Sequence, residues 1–356
     1  MKITLLPSTY YSDPTYNRIL SSLRREFTAS GHEVSIASRA TAANPRLQLE
    51  LSPDSPPCGG GGRRLPLLQV LAKLTPPGAV LNFHFSGWLR PWHAPLLLAR
   101  RLAAVKLVVT FQDYLHPDLP PLTPAAKKDL LAILDRAHGV TAVSDFLARL
   151  LRRDFPAAAR KLCVVPNGAD RPDKAARSDA GRGCILTVGR QAPYKGLDLL
   201  LFAFAKAVEK GCGSKLLVCG AGARGPLERL AAKLGLANRV EFRGVVSPAA
   251  VSGLMKNCLF YATTPRWESF GMAALEAMAA GKAVLASKTG GLAEFTGRKR
   301  GTLAVAPQDT EAAAAAILKL SADGALRKAL GREAARTALG YTWKKAADKY
   351  LRLAYR

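Results

Sequence analysis

Glu268 and Glu276 stand eight residues apart in Arg266-Trp-Glu-Ser-Phe-Gly-Met-Ala-Ala-Leu-Glu-Ala-Met-Ala-Ala-Gly-Lys-Ala-Val-Leu285. Ser269 reads as a helix N-cap, the Ala/Met/Leu run after it is strongly helix-forming, and Gly281 ends the helix before a strand. On a helix rising about 1.5 Å per residue the two carboxylates are roughly 12 Å apart along the axis and about 80° apart around it. The amides of Ser269, Phe270, Gly271 and Met272 fall at the helix N-terminus, where the dipole favours an anion. A sugar nucleotide has that layout: sugar hydroxyls, a diphosphate, then ribose hydroxyls. Carboxylates accept from hydroxyls, and amides hold phosphate. The spacing alone equally admits a plainer reading, with Glu268 steadying the helix start and Glu276 solvated.

A basic loop, Leu186-Thr-Val-Gly-Arg-Gln-Ala-Pro-Tyr-Lys-Gly196, puts Gly189, Arg190 and Lys195 after a strand. Gly220-Ala-Gly-Ala-Arg-Gly225, with Glu241 further on, has the spacing of a dinucleotide fingerprint. It follows the second strand of its series, whereas that fingerprint follows the first, so we set it aside. In the first half, Leu81-Asn-Phe-His-Phe85 places His84 near the C-terminal end of a strand, where ligands bind in open parallel sheets. A partly buried structural histidine is the alternative.

The elements needed to position these residues are legible as short apolar runs alternating with helical patterns, the sign of parallel α/β architecture. Strands are expected at 2–6, 33–37, 79–83, 106–110, 139–143 and 162–165, then at 184–188, 215–219, 239–242, 258–261, 283–286 and 302–305. Helices are expected at 15–30, 91–104, 124–136 and 145–153. A second helical set is expected at 196–209, 225–235, 248–256, 270–280, 309–321, 324–338 and about 342–354. Residues 52–64, rich in Pro and Gly, read as a loop. The polar stretch 171–183 reads as an interdomain linker. We therefore expect two doubly wound Rossmann-like domains facing each other. One would span residues 1–171 and the other residues 172–341, with a last helix after it.

The chain has 356 residues, a length that suits two cores. Its net charge of +26 comes from both halves: residues 1–171 carry 22 basic against 12 acidic groups, and residues 172–356 carry 30 against 14. Such a balance suits an anionic membrane surface, a phosphorylated substrate or nucleic acid, or simply a basic solvated surface. No helix-turn-helix or aromatic RNA motif supports nucleic acid. Six cysteines, Cys58, Cys163, Cys184, Cys212, Cys219 and Cys258, show no metal-ligand spacing and read as small buried hydrophobes in a reducing compartment. The N-terminus reads as a strand rather than a signal peptide, and no run of about 18 apolar residues occurs. A cytoplasmic protein is expected. The Asp145–Phe155 helix has Phe146, Leu147, Leu150 and Leu151 on one face beside Arg149, Arg152 and Arg153. That face suits either an anionic bilayer, giving peripheral contact at the inner face of the membrane, or the domain's own core.

The Glu268 segment resembles the Glu-x7-Glu motif of family 4 glycosyltransferases. Residues 186–196 resemble that family's donor loop, and Thr289-Gly-Gly-Leu-Ala-Glu294 its Gly-Gly-x-x-Glu turn. Val164-Val-Pro-Asn-Gly-Ala-Asp170 is similar to the segment closing its first domain, and Tyr341–Tyr350 to its last helix. The likeness is specific over the second half and looser over residues 1–160. It implies a GT-B fold, in which residues 1–171 joined by the C-terminal helix 342–356 crossing back form the acceptor side and residues 172–341 the nucleotide-sugar donor domain, and a retaining, metal-independent hexosyl transfer from a nucleoside diphosphate sugar, with no cofactor. The acceptor would be a glycan, a lipid-linked molecule or a small molecule, as in building cell envelope polysaccharide. Carried over residue by residue, Arg190 and Lys195 would neutralise the diphosphate, Glu268 would contact the donor sugar and Glu276 would hold ribose hydroxyls. Gly222 and Arg243 are further donor-site candidates. The chain departs from the family on the acceptor side. Gln112 stands in Val108-Val-Thr-Phe-Gln-Asp113 where the family has His, Asn82-Phe-His84 replaces His-x-His, and the loop 7–16 lacks a Gly-Gly pair. A front-face transfer, in which the leaving phosphate takes the acceptor proton, does not need that histidine. The alternative reading is a sugar-nucleotide-binding subunit without catalysis; a nucleic-acid binder ranks below it.

Overall fold

A computed structural model describes residues 1–8, 14–39, 47–50, 67–87, 89, 93–115, 121–171, 181–297 and 300–355. It divides into two compact units: Met1–Gly168 together with Trp343–Arg356, and Ala169–Thr342. The expected loop at 52–64, the core of the linker at 172–180 and residues 9–13 of the first loop lie outside the described residues.

In the first unit, seven strands form one sheet: β1 Lys2–Pro7, β2 Glu33–Arg39, β3 Leu47–Glu50, β4 Val80–Ser86, β5 Lys106–Asp113, β6 Gly139–Ala142 and β7 Leu162–Val164. The order is β3-β2-β1-β4-β5-β6-β7. Every neighbouring pair is parallel except β2 with β3. Six of these strands fall on the expected runs; the central ones, β4 and β5, are covered on both faces and read as nearly continuous apolar stretches. In β4 and β5, Leu81, Phe83, Phe85, Leu107, Val109 and Phe111 are buried without remainder or nearly so.

Strand β3 and the helix Leu67–Leu74 were not expected. The expected helix over 91–104 is shorter and broken, with His93–Leu97 helical and Arg100–Leu102 a separate 3-10 turn. The helix Asp145–Asp154 is capped by the Ser144 hydroxyl, which accepts from Leu147 N at 3.2 Å. Its Leu147 and Leu151 are buried in the unit's own core, so they are not the bilayer face that the membrane alternative required.

The C-terminal residues return to this unit. The helix Trp343–Lys349 is followed by a π-helical turn, Tyr350–Ala354. Phe27 packs on Tyr350 and Tyr355, with ring centroids 6.1 and 5.5 Å away. Asn82 Nδ2 donates to the Tyr355 hydroxyl at 2.8 Å, Thr110 Oγ1 donates to Asn82 Oδ1 at 2.8 Å, and Thr141 Oγ1 donates to Thr110 Oγ1 at 2.8 Å. A row of polar groups on three adjacent strands thus finds partners inside the core, as burial demands.

In the second unit, the sheet runs β10-β9-β8-β11-β12-β13, all parallel. Its strands are β8 Cys184–Val188, β9 Lys215–Cys219, β10 Val240–Gly244, β11 Phe260–Thr263, β12 Val284–Ser287 and β13 Thr302–Val305. The strand order reverses at β8, whose neighbours are β9 and β11. In open α/β sheets the crevice beyond the strand ends at such a point receives ligands. The described cysteines Cys163, Cys184, Cys212, Cys219 and Cys258 are free, and burial pushes the Cys219 and Cys258 thiols up to about 11 and about 12. No described helix is long and apolar enough to cross a membrane.

Candidate functional site

Beyond the C-terminal ends of β8 and β11 the chain runs through residues 189–196 and 264–271, so the reversal point collects Gly189, Arg190, Lys195 and Glu268. Lys195 closes the 3-10 turn Pro193–Lys195 and its Nζ donates to Glu268 Oε2 at 2.7 Å. Both side chains are mostly covered, 23% and 16% exposed. Burial alone would lower the Lys195 ammonium's pKa, but the Glu268 carboxylate, with Tyr194, outweighs it and holds the group above its ordinary value. Arg190 is exposed. Its guanidinium carbon lies 5.6 Å from the centroid of the Tyr194 ring and Lys195 Nζ lies 5.1 Å from it, within cation–π range.

Three sets of bonds fix the Glu268 loop. Tyr194 O accepts from Arg266 N at 2.8 Å and Trp267 N at 3.2 Å. Arg266 bonds Asp198 through both nitrogens and reaches Pro193 O at 3.0 Å. From the other side, Ser287 Oγ and Thr289 Oγ1 each donate to Pro265 O at 3.0 Å, and Gly291 N donates to Glu268 O at 2.8 Å. The Gly290-Gly291 turn therefore supports the Glu268 backbone directly. Tyr194, Asp198 and Arg266 were not singled out in the sequence. Asp198 and Arg266 are 68 positions apart, and only the meeting of two loops at the sheet's reversal reveals the pair.

The helix holding Glu276 is Met272–Ala279, and its N-cap is Gly271 at φ 107°, not Ser269. Ser269 is buried and Glu268 lies outside the helix altogether, so the axial separation deduced for one continuous helix does not apply. The cause is a close approach: Leu292 and Phe295 pack where a Cβ on Gly271 would stand, which selects Gly and a left-handed turn there. The helix-start amides are consequently those of Gly271, Met272 and the two residues after it. Phe270 packs its ring on Phe295 and Tyr341, at 5.5 and 6.2 Å, and its backbone N–H donates to Glu268 Oε1 at 3.5 Å. Glu276 is half-buried on its helix. Both Glu268 and Glu276 lie near Tyr261 of β11, whose phenol is pushed up first by burial and then by these two charges. The helix ends as expected, with Gly281 N on Met278 O and Lys282 N on Ala277 O.

Gly220 and Gly222 have a packing reason. A Cβ at Gly220 would collide with the Gly189 carbonyl oxygen, and one at Gly222 would lie 2.6 Å from Gln191 O. The turn after β9 thus lies against the 189–191 loop and pins it, with Gln191 N on Ala221 O at 2.6 Å and Gln191 Nε2 on Gly220 O at 3.0 Å. Arg243, on the edge strand β10, is exposed and bonded to Glu241 at 2.7 Å.

The first unit brings His84 and Gln112 together. His84 is wholly buried on β4, and burial lowers its pKa to about 3, so the ring is neutral. Gln112 Nε2 lies 3.3 Å from His84 Nδ1 and 3.4 Å from Asn167 Oδ1, while Asn167 Nδ2 donates to Gln112 Oε1 at 2.8 Å. Asn167 lies in the 164–170 segment, where nothing in the sequence marks it as a partner of Gln112. Both amides are more than nine-tenths buried. At the ends of β1 and β4, Ser8 Oγ and Ser86 Oγ are 2.9 Å apart.

Residues 17–171 match the family model described as Glycosyltransferase Family 4, and residues 170–337 match that of Glycosyl transferases group 1. A D-inositol 3-phosphate glycosyltransferase of Streptomyces avermitilis is 30% identical over 378 residues, covering 93% of this chain and 81% of that protein. The enzyme of the same name from Rhodococcus opacus is 34% identical over 291 residues, covering 74% of this chain, which spans 63% of that relative's length. Among solved structures, sucrose-phosphate synthase from Thermosynechococcus elongatus superposes with a TM-score of 0.74 at 20% identity, covering 99% of this chain and 98% of that one. HepE of Anabaena, solved with UDP and glucose, superposes with a TM-score of 0.72 at 18% identity, covering 99% of both chains. At such identities the likeness establishes the fold, which is of the GT-B kind.

Proposed function

Since the chain belongs to glycosyltransferase family 4, we propose that it transfers a hexose-type sugar, with retention, from a nucleoside diphosphate donor to a glycan, lipid-linked or small-molecule hydroxyl. The observation that carries this is the placement of Lys195 and Arg190 on the Tyr194 ring, beside Glu268, where the second sheet reverses. Two cations beside one carboxylate suit a diphosphate joined to a sugar. They neutralise charge on the leaving group without a metal, and the carboxylate accepts from sugar hydroxyls. Glu276 takes the ribose, with Gly189, Gly222 and the amides of Gly271 and Met272 lining the donor. Relatives named for inositol phosphate and for sucrose phosphate motivate a hydroxylated, phosphate-bearing small acceptor, which the basic charge of the chain also favours. Peripheral attraction to an anionic membrane is a separate consequence of that charge, and no longer involves Leu147 or Leu151.

A binding subunit without chemistry is the second reading, favoured by one observation: Gln112 is tied to Asn167 and His84 rather than presented as an acid or base. Thermal-shift screening against UDP- and GDP-sugars identifies the donor by stabilisation of the native state. Hydrolysis of that donor, assayed with and without EDTA, then decides. Turnover unchanged by EDTA supports the proposal. Binding with no turnover supports the second reading, and no binding of any nucleotide sugar defeats both.

A further inference from the structure

Lys195 and Glu268 are assigned to different parts of the donor, the diphosphate and the sugar, yet here they bond each other at 2.7 Å with most of both side chains out of water. The Glu268 backbone is held within reach of this contact: its carbonyl accepts from Gly291 N, and the preceding residues are tied to Tyr194 and Asp198. Lys195 is equally confined by the turn Pro193–Lys195 and by the Tyr194 ring below it. Without a ligand, the carboxylate's partner is therefore the cation meant for phosphate. Where the diphosphate would bind, Lys195 and Arg190 against Glu268 leave a net charge of about one rather than two.

We infer that the Lys195–Glu268 ion pair makes the site discriminate between a nucleotide that carries a sugar and one that does not. A bare diphosphate must compete with Glu268 for the Lys195 ammonium and repels the carboxylate it displaces. A sugar-bearing diphosphate competes in the same way but brings hydroxyls that donate to Glu268, so the carboxylate exchanges one partner for another instead of losing it. A half-desolvated carboxylate left with only the long Phe270 N–H contact, 3.5 Å from Oε1, is costly, so the bare diphosphate bears a penalty that the donor escapes. The consequence for turnover is that the product nucleotide leaves more readily than it would from a site of two unopposed cations.

This inference rests on the proposed donor site, and its test separates the two. Inorganic pyrophosphate, which has neither base nor sugar, is titrated calorimetrically into the natural chain, Glu268→Gln, Glu268→Ala and the double variant Glu268→Gln with Lys195→Ala. Both Glu268 variants are expected to bind pyrophosphate about tenfold more tightly than the natural chain, the double variant to lose that gain, and the donor found by thermal shift to bind Glu268→Gln no more tightly than the natural chain. Pyrophosphate affinity unchanged in both Glu268 variants, or a gain that survives loss of Lys195, overturns the inference. Failure of the natural chain to bind any nucleotide sugar defeats the functional reading instead, and leaves the pyrophosphate comparison readable.

Discussion

Arg266 and Asp198 form a two-point ion pair, Nη1 on Oδ1 at 2.7 Å and Nη2 on Oδ2 at 2.6 Å, that ties the loop carrying Glu268 to the first turn of the helix following Lys195. The planar guanidinium meets the carboxylate fork, an arrangement a lysine would not reproduce. The pair is about one-third exposed, so solvent screens part of its direct worth to stability. Its value lies in registering two loops.

The first prediction follows. Asp198→Asn should leave the thermal midpoint nearly unchanged while weakening donor binding by about fivefold, because the loops lose their registration and not their fold. Arg266→Lys should behave alike. Equal donor affinity in both variants, measured by calorimetry, would show that the loops hold their positions without the pair.

Gln112 gives the second. An amide does not titrate in the working range, but it donates and accepts hydrogen bonds. Asn167 fixes which way it points. Gln112→Ala should reduce turnover more than Gln112→His, and neither variant should add a titration near pH 6.5 to the rate profile. Asn167→Ala should copy Gln112→Ala in direction. Activity that appears only in Gln112→His would favour the non-catalytic reading.

His84 supplies the third. Its folded-state value of about 3 lies below the ordinary 6.5, so between those limits the unfolded chain binds the extra proton. Stability from keeping the ring neutral is therefore complete above pH 6.5 and is lost as pH falls toward 3. The natural chain's thermal midpoint should drop more steeply from pH 7 to pH 4 than that of His84→Gln, whatever their difference at pH 7. Parallel curves would mean that His84 titrates freely in the folded chain.

Most of the fold was legible because twelve of the thirteen described strands fall on short runs rich in Val, Ile, Leu or Phe, even where the strand is only partly covered, as in β7 and β10. Strand β3 escaped because Leu47-Gln-Leu-Glu50 is short, antiparallel and at the sheet's edge, with no apolar run to betray it. The Glu276 helix starts later than its residue types suggest, for a different reason. Ser269 is a good cap by residue type, but the packing of Leu292 and Phe295 on Gly271 decides where the helix begins, and that contact spans two loops. The polar row Asn82, Thr110 and Thr141 was equally invisible. Each residue looks ordinary in its strand, and only the register that sets His84 beside Thr110, and Thr110 beside Thr141, brings the row together. The loops at the reversal point were legible as basic and acidic segments, whereas the Lys195–Glu268 and Asp198–Arg266 pairings needed the strand order.

The central claim is that the donor's diphosphate sits in the second unit, on the loop after β8. Lys195→Ala should therefore weaken donor binding by about 100-fold, with Glu276→Ala weakening it less through lost ribose contacts. The most direct measurement is a crystal structure of the full chain with bound nucleoside diphosphate. The account predicts phosphate oxygens within hydrogen-bonding reach of Lys195 Nζ and the Arg190 guanidinium, and ribose hydroxyls at the Glu276 carboxylate. A nucleotide lodged instead in the first unit, beside His84 and Gln112, would contradict it.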